Sequence, residues 1–288
     1  MQRRHLLQAL AAAPLATSLQ AAGSPAKARF RSAICAYSYR QALAAKKMTY
    51  EDLVHLSVEM NVDGLDLTVY WFPSPNDDFL LPLKRAAYKA GVEIYSISVR
   101  TDMCRPPTEQ AGEIEKIREW VDVAARLGAG HIRVFGGRVP DGATENQAAI
   151  WCAEVLKRSG DYAGSKGVIL GLENHGGITE RAERIIEIVK RVDSPWVGVN
   201  LDSGNFRSDA FRQIEMCIPY AVNVQLKAEM RSEAGQVERQ DWNRLIGLLA
   251  KGNYKGYVAL EYEAKEAAET AVPRLIKEMQ SILNRHTA

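Results

Sequence analysis

Four side chains that could bind a cation stand at or near the ends of short apolar runs. They are Glu173 in "VILGLEN", Asp202 in "WVGVNLD", Gln225 in "AVNVQLK" and Glu261 in "GYVALEYE". Three carboxylates and an amide oxygen brought to one point would repel one another strongly without a cation between them. Such hard oxygen donors suit Mn²⁺ or Mg²⁺, with Co²⁺ or Zn²⁺ as alternatives that match an all-oxygen set less well.

The rest of the sequence predicts elements that would bring these side chains together. Short apolar runs alternate with longer amphipathic segments, such as 108–129, whose apolar residues recur at helical spacing. Strict alternation of strand and helix favours a parallel sheet. Eight such units in one domain length favour closure into a (β/α)8 TIM barrel over an open doubly wound sheet. The predicted strands are 32–38, 64–70, 92–99, 131–137, 168–174, 196–202, 221–227 and 256–263.

In a barrel of this kind the active site forms at the carboxyl ends of the strands. Side chains two residues apart in a strand point to the same face. Gln225 therefore shares its face with Lys227, and Glu261 shares its face with Glu263. A single acid at a strand end is ordinarily a salt bridge or a helix N-cap. Four polar strand ends in succession instead favour a cation site.

The N-terminus has the pattern of an export signal. Arg3 and Arg4 precede an Ala- and Leu-rich stretch that is too short to span a membrane. The arginine pair suggests the twin-arginine route and a periplasmic destination, with no stable insertion in a membrane. An amphipathic helix with a chance arginine pair is the alternative. We therefore predict a signal over 1–28 and one barrel domain over 29–288.

Composition argues against two other classes of protein. A formal net charge of +2 supplies no basic field of the kind that nucleic-acid binders carry. The cysteines at 35, 104, 152 and 217 are widely separated and form no CxxC pair, which makes a zinc knuckle an unfavourable interpretation. We expect four buried thiols, although the sequence leaves a disulfide open.

Four motifs resemble the xylose isomerase-like barrels, a family of sugar phosphate isomerases and epimerases. They are "GLENHGG" (171–177), "VNLDSGNF" (199–206), "NVQLK" (223–227) and "ALEYE" (259–263). The resemblance implies Glu173, Asp202, Gln225 and Glu261 as the metal ligands. Gln225 stands where many members have His, but hydroxypyruvate-isomerase-like members use Gln there. Asn205 also replaces a His that many members carry three residues after the Asp.

The resemblance also implies an activity. In the family the two glutamates, here Glu173 and Glu261, move protons on opposite faces of the substrate. This chain would then be a metal-dependent isomerase or epimerase that acts on a ketose or keto-sugar through a cis-enediolate. Lys227, His175 and Asn205 are candidate substrate contacts; a salt bridge to Glu263 is the alternative for Lys227, and a loop hydrogen bond is that for His175. Further candidate substrate contacts are Arg100, Trp71 and Glu263.

Other functions remain open at this point. A lyase or hydratase of 3-keto-glycosides would use the same metal and enolate chemistry, and export favours it because sugar phosphates are scarce outside the cytoplasm. A non-catalytic carbohydrate-binding barrel would bind sugar without turnover. A DNA-repair endonuclease on this fold needs a zinc cluster rich in histidine, which Gln225 and Asn205 do not supply. The expected partner is a small carbohydrate, and a homo-oligomer is left open.

Overall fold

The computed structural model describes residues 29–232 and 234–286. The predicted export signal over 1–28 lies outside these residues and stays a prediction. In the described part of the chain, no helix is both long and apolar enough to cross a membrane.

Eight parallel strands close into a barrel, which confirms the predicted fold. The barrel strands are β1 (Arg29–Cys35), β2 (Gly64–Thr68), β3 (Glu93–Ser98), β4 (His131–Phe135), β5 (Ile169–Glu173), β6 (Val197–Asp202), β7 (Ala221–Lys227) and β10 (Lys255–Glu261). Around the barrel the order is β1-β10-β7-β6-β5-β4-β3-β2, so consecutive barrel strands along the chain are neighbours in space.

Helices follow the strands and cover the outside of the barrel. Their apolar faces pack against the outward-facing strand residues, such as Leu170 and Leu172 of β5, in one continuous core. The helices are α1 (Arg40–Ala44), α2 (Tyr50–Glu59), α3 (Asp77–Ala90), α4 (Gln110–Leu127), α5 (Glu145–Ser165), α6 (Ala182–Val192), α7 (Ala210–Cys217), α8 (Trp242–Lys251) and α9 (Ala268–His286).

The first two strands end earlier than their apolar runs predict, at Cys35 and Thr68. After Cys35 the chain turns into a 3₁₀ helix, Ala36–Tyr39, and after Thr68 into another, Val69–Trp71. Both turns lie at the carboxyl end of the barrel and carry aromatic side chains to its mouth. A hairpin of β8 (Glu229–Arg231) and β9 (Val237–Arg239) follows β7 and was not predicted, because its sequence is polar and has no strand-like alternation.

The inside of the barrel holds a row of hydrogen-bonded polar side chains. Tyr95 Oη donates to Asn223 Oδ1, Asn223 Nδ2 donates to Asn200 Oδ1, and Asn200 Nδ2 donates to Gln225 Oε1. Gln225 Nε2 then donates to Asp66 Oδ2 at 3.0 Å. We call these five residues the polar ladder. Since all five are buried, each bond replaces one that water would otherwise make.

Candidate active site

The carboxyl ends of β5, β6, β7 and β10 bring four charged side chains to one end of the barrel. Glu173, Asp202, Lys227 and Glu261 are all buried at the last position of their strands. The same period-two register that places Leu170 and Leu172 against the helices turns Glu173 into the barrel. The structure thus places the three predicted acids around a common opening.

Lys227 lies at the centre of this cluster. Its Nζ is 3.2 Å from Asp202 Oδ2, 2.7 Å from Glu261 Oε2 and 2.8 Å from Glu263 Oε2. Burial alone would lower the pKa of Lys227, but the three carboxylates, Asp202 foremost, raise it well above the usual range. Lys227 is therefore a fixed positive charge. The ion pair with Glu263, which was the predicted alternative for Lys227, is present. Lys227 also forms ion pairs with Asp202 and Glu261.

A second cation, Arg133 of β4, holds Glu173. Its Nε is 2.9 Å from Glu173 Oε2, and both side chains are only 4% exposed. Asn205 Nδ2 donates to the other carboxylate oxygen, Oε1, at 3.2 Å. Arg133 also donates to Tyr70 Oη and to the carbonyl of Val99. Arg133 was not among the predicted site residues, although a charge at an inward-facing position of an otherwise apolar strand was a signal for it.

The three buried acids differ in their protonation behaviour. Burial raises the pKa of Glu173 well above its usual range, against the opposing charge of Arg133. Burial also raises the pKa of Asp202 to about 7, against the opposing charge of Lys227. Burial would raise the pKa of Glu261 too, but the charge and the hydrogen bond of Lys227 outweigh it and lower that pKa. The mouth of the barrel therefore holds three acids whose environments give them different pKa values.

Gln225 lies two positions before the end of β7, where it pairs in register with Asp202 of β6. Its Oε1 accepts from Asn200 Nδ2 at 2.7 Å, and its Nε2 donates to Asp66 and weakly to Cys35 Sγ. These contacts fix the orientation of the amide. The carbonyl oxygen keeps a second lone pair, so Gln225 can still serve as a neutral oxygen ligand at the base of the cluster.

Aromatic side chains from the first two strand ends form one side of the mouth. Tyr37 stacks on Trp71 at 5.9 Å between ring centroids, and Tyr70 meets Trp71 edge-on at 5.8 Å. We call Tyr37, Tyr70 and Trp71 the aromatic wall. The guanidinium of Arg100 lies 4.1 Å from the Tyr70 ring centroid. Trp71 and Arg100, both predicted as substrate contacts, thus lie together; Tyr37 and Tyr70 were not predicted.

The remaining predicted substrate contacts line the rim. His175 is exposed and packs on Phe135, with ring centroids 4.1 Å apart, and burial of part of its ring lowers its pKa. Its backbone N–H donates to Thr179 Oγ1, which fixes the loop after β5. Asn205, Lys227 and Glu263 line a cavity of about 150 Å³, which residues of the β8–β9 hairpin also line.

The cluster suits a divalent metal in the type and charge of its residues. The four carboxyl groups of Glu263 and the three buried acids outnumber the two cations, Lys227 and Arg133. Asp202 Oδ2 is buried and, among the described residues, takes part in no hydrogen bond. As the side chains stand, however, the described residues include no group of three or more His, Cys, Asp or Glu close enough to hold a metal. The ammonium of Lys227 lies between Asp202 and Glu261, so a metal there requires Lys227 to move.

Comparisons with known proteins agree with this architecture. The family described as xylose isomerase-like TIM barrel matches residues 54–284. A comparison with curated proteins by sequence found no match.

Solved structures with the same fold include a protein with a bound metal. The IolI protein with a bound zinc atom is 14% identical, with a TM-score of 0.72 over 89% of this chain and 99% of that one. D-psicose 3-epimerase from Clostridium cellulolyticum H10, crystallised with D-tagatose, is 16% identical, with a TM-score of 0.70 over 89% and 98%. The 3-keto-D-glucoside 4-epimerase YcjR from E. coli is 14% identical, with a TM-score of 0.66 over 81% and 94%. At these identities the likeness shows a shared fold.

Proposed function

The chain belongs to the xylose isomerase-like TIM barrel family, and on that premise we propose that it is a sugar isomerase or epimerase that moves a proton beside the carbonyl of a ketose or keto-sugar. One observation carries the proposal: Glu173 on β5 and Glu261 on β10 face the same opening, and two strands, β6 and β7, lie between β5 and β10. Each glutamate also has its own cation, Arg133 or Lys227. Two carboxylates held apart in this way can reach a bound carbon from two sides.

The proton transfer is assigned to these two glutamates. One of them removes the proton beside the carbonyl, and the other returns a proton to the same or to the neighbouring carbon. Return to the opposite face of the same carbon gives an epimer, whereas return to the neighbouring carbon gives an aldose–ketose isomer. Because Glu173 and Glu261 are buried, bulk water has little access to the protons in transit.

A divalent metal is part of the proposal. Glu173, Asp202 and Glu261 would hold it, with the carbonyl oxygen of Gln225 as a neutral fourth ligand, and the all-oxygen set favours Mn²⁺ or Mg²⁺. When bound, the metal would supply a Lewis acid for the substrate oxygens. The likeness to IolI supports a metal on this fold, since that structure contains zinc.

The substrate is proposed to be a carbohydrate without a phosphate group. The aromatic wall offers apolar ring faces on one side of the mouth, and the hydroxyl-binding candidates His175, Lys227 and Asn205 lie on the other. Export through the signal predicted over 1–28 would place the protein where sugar phosphates are scarce. The similar fold of a D-psicose 3-epimerase and a 3-keto-D-glucoside 4-epimerase supports a sugar with a carbonyl near the reacting carbon.

A lyase or hydratase of 3-keto-glycosides is the second candidate. It needs the same proton removal, followed by loss of a group β to the carbanion in place of proton return. The likeness to an enzyme of 3-keto-D-glucosides favours this alternative over chemistry on other substrates.

Deuterium incorporation distinguishes these reactions. Ketoses and 3-keto-glycosides would be incubated in D₂O with Mn²⁺ and the full chain, and the products followed by NMR. An epimer or isomer with one deuterium at the transferred position supports the proposal, whereas release of the aglycone with an unsaturated product supports the lyase. Sugar binding without incorporation or turnover would contradict both and favour a carbohydrate-binding barrel.

Variants assign the roles of the two glutamates. Glu173→Gln and Glu261→Gln should each lower kcat at least 100-fold, because each removes one of the two groups that carry the proton. Glu59→Gln, an exposed glutamate at the end of α2, is the matched control and should leave kcat unchanged. Full activity in either site variant would show that its glutamate does not carry the proton.

A further inference from the structure

Lys227 lies where the proposed metal would have to bind. Its ammonium bridges Asp202 and Glu261 at 3.2 and 2.7 Å, and both carboxylates come from strands that flank β7. The other buried cation, Arg133, is engaged by Glu173 and Tyr70. Among the described residues that form this cluster, Lys227 is therefore the counter-charge of Asp202 and Glu261.

We propose that Lys227 and a divalent metal compete for this one position. The inference rests on the metal of the proposed function. In the metal-free protein Lys227 is the internal cation of the site, and metal binding requires its ammonium to leave Asp202 and Glu261. Lys227 then weakens metal binding. In the metal-free protein its positive charge offsets the buried carboxylates of Asp202 and Glu261 and so stabilises the fold.

The surroundings of Lys227 fix its backbone and the start of its stem, while the side chain borders the cavity that Glu263 also lines. Its N–H donates to Ser203 Oγ at 2.9 Å, and its carbonyl accepts from Trp242 Nε1 at 2.7 Å. The stem passes Gly204, where an added Cβ would lie only 2.6 Å from Lys227 Cγ. These contacts therefore leave the far end of the stem and its ammonium, beside the cavity, as the part that can move.

Glu263 provides the alternative partner for the displaced ammonium. Its carboxylate already lies 2.8 Å from Lys227 Nζ, and its side chain is 41% exposed, whereas Asp202 is 1% exposed. An ammonium that keeps only the contact with Glu263 lies at the rim and regains water. Asp202 Oδ2 is buried and otherwise without a hydrogen bond in the described residues, so a metal ion that takes the place of the ammonium would keep this oxygen partnered.

Calorimetric titration of Mn²⁺ into the metal-stripped full chain tests the competition. Lys227→Met keeps the stem and removes the charge, and it should bind Mn²⁺ at least tenfold more tightly than the wild type. Lys251→Met removes an exposed lysine paired with Glu215 on the outside of the barrel and should bind like the wild type. Equal or weaker binding by Lys227→Met would overturn the inference.

The same titration separates this inference from the proposed function. Binding by the wild type with no gain in Lys227→Met overturns the competition and leaves the metal-dependent enzyme standing. Binding by Lys227→Met alone supports the competition and overturns metal dependence in the wild type. Absence of binding in both proteins overturns both.

A measurement on the wild type covers the case in which metal-free Lys227→Met does not fold. Acetic anhydride would be used to label lysines with and without Mg²⁺, and the labelled peptides quantified by mass spectrometry. Lys227, which is 8% exposed in its bridging position, should react several times faster when Mg²⁺ is bound, while Lys251 stays unchanged. Unchanged or slower labelling of Lys227 in Mg²⁺-bound protein would contradict the displacement.

Discussion

Arg133 and Glu173 form a buried ion pair between neighbouring strands, with Arg133 Nε 2.9 Å from Glu173 Oε2. The pair couples the stability of the barrel to its active end. Removal of one partner from such a pair leaves an uncompensated charge in a low-dielectric interior. Arg133 thus supplies the positive charge that holds the buried carboxylate of Glu173, a proposed catalytic group, in place.

Arg133→Met should therefore destabilise the protein by about 3–5 kcal/mol. The measurement is the free energy of unfolding from urea denaturation at pH 7.5. Arg138→Met, which removes an exposed arginine just after β4, is the matched control and should change stability by at most about 0.5 kcal/mol. A loss below about 1 kcal/mol in Arg133→Met would mean that Glu173 simply takes up a proton when its cation is removed.

Asn200→Leu tests whether the polar ladder acts as a unit. The substitution leaves Gln225 Oε1 and Asn223 Nδ2 without their partner inside the barrel. Two unsatisfied buried groups cost about 1–3 kcal/mol each, so the free energy of unfolding should fall by about 2–6 kcal/mol. Asn146→Leu on the surface of α5, where the side chain bonds to Arg184, is the control and should have a much smaller effect. A similar loss in both variants would show that the polar ladder contributes no more to the free energy of unfolding than a surface hydrogen bond does.

The sequence predicted the barrel and the ends of β5, β6 and β7 well because alternation and apolar runs are local signals. Glu173, Asp202 and Glu261 stand at strand ends that such patterns identify. The contacts of Lys227 were only partly predictable, since a four-carbon side chain can reach several acids and only the closed barrel decides between them. Arg133 was missed for a related reason: its partner Glu173 lies 40 positions along the chain and becomes a neighbour only through the register of β4 and β5.

Two glycine substitutions should change stability in opposite directions. Gly204→Ala places a Cβ 2.6 Å from Lys227 Cγ and 3.0 Å from the backbone oxygen of Glu229, so the protein should lose about 1–3 kcal/mol. Gly247→Ala lies inside α8 with no atom within 4 Å of the added Cβ, and it should gain about 0.5–1 kcal/mol from helix propensity. Thermal unfolding of the two variants beside the wild type measures both effects. Stabilisation by Gly204→Ala would show that the Lys227 stem has more room than the structure gives it.

His131 should make stability depend on pH. Burial, with a further contribution from Arg133, lowers the pKa of His131 to about 3, and its Nδ1 lies 2.8 Å from Ser96 Oγ. The unfolded chain binds a proton at this histidine below about pH 6.5, whereas the folded chain does so only near pH 3. Stability from this residue is thus complete above pH 6.5 and falls by about 1.4 kcal/mol per pH unit below it.

Between pH 7.5 and pH 5.0 the wild type should therefore lose about 2 kcal/mol more than His131→Gln, which cannot take up the proton. Urea denaturation of both proteins at the two pH values gives the difference directly, and contributions from the carboxylates cancel because both proteins contain them. An equal loss in wild type and variant would mean that His131 is protonated in the folded barrel and that water reaches the amino-terminal end of β4.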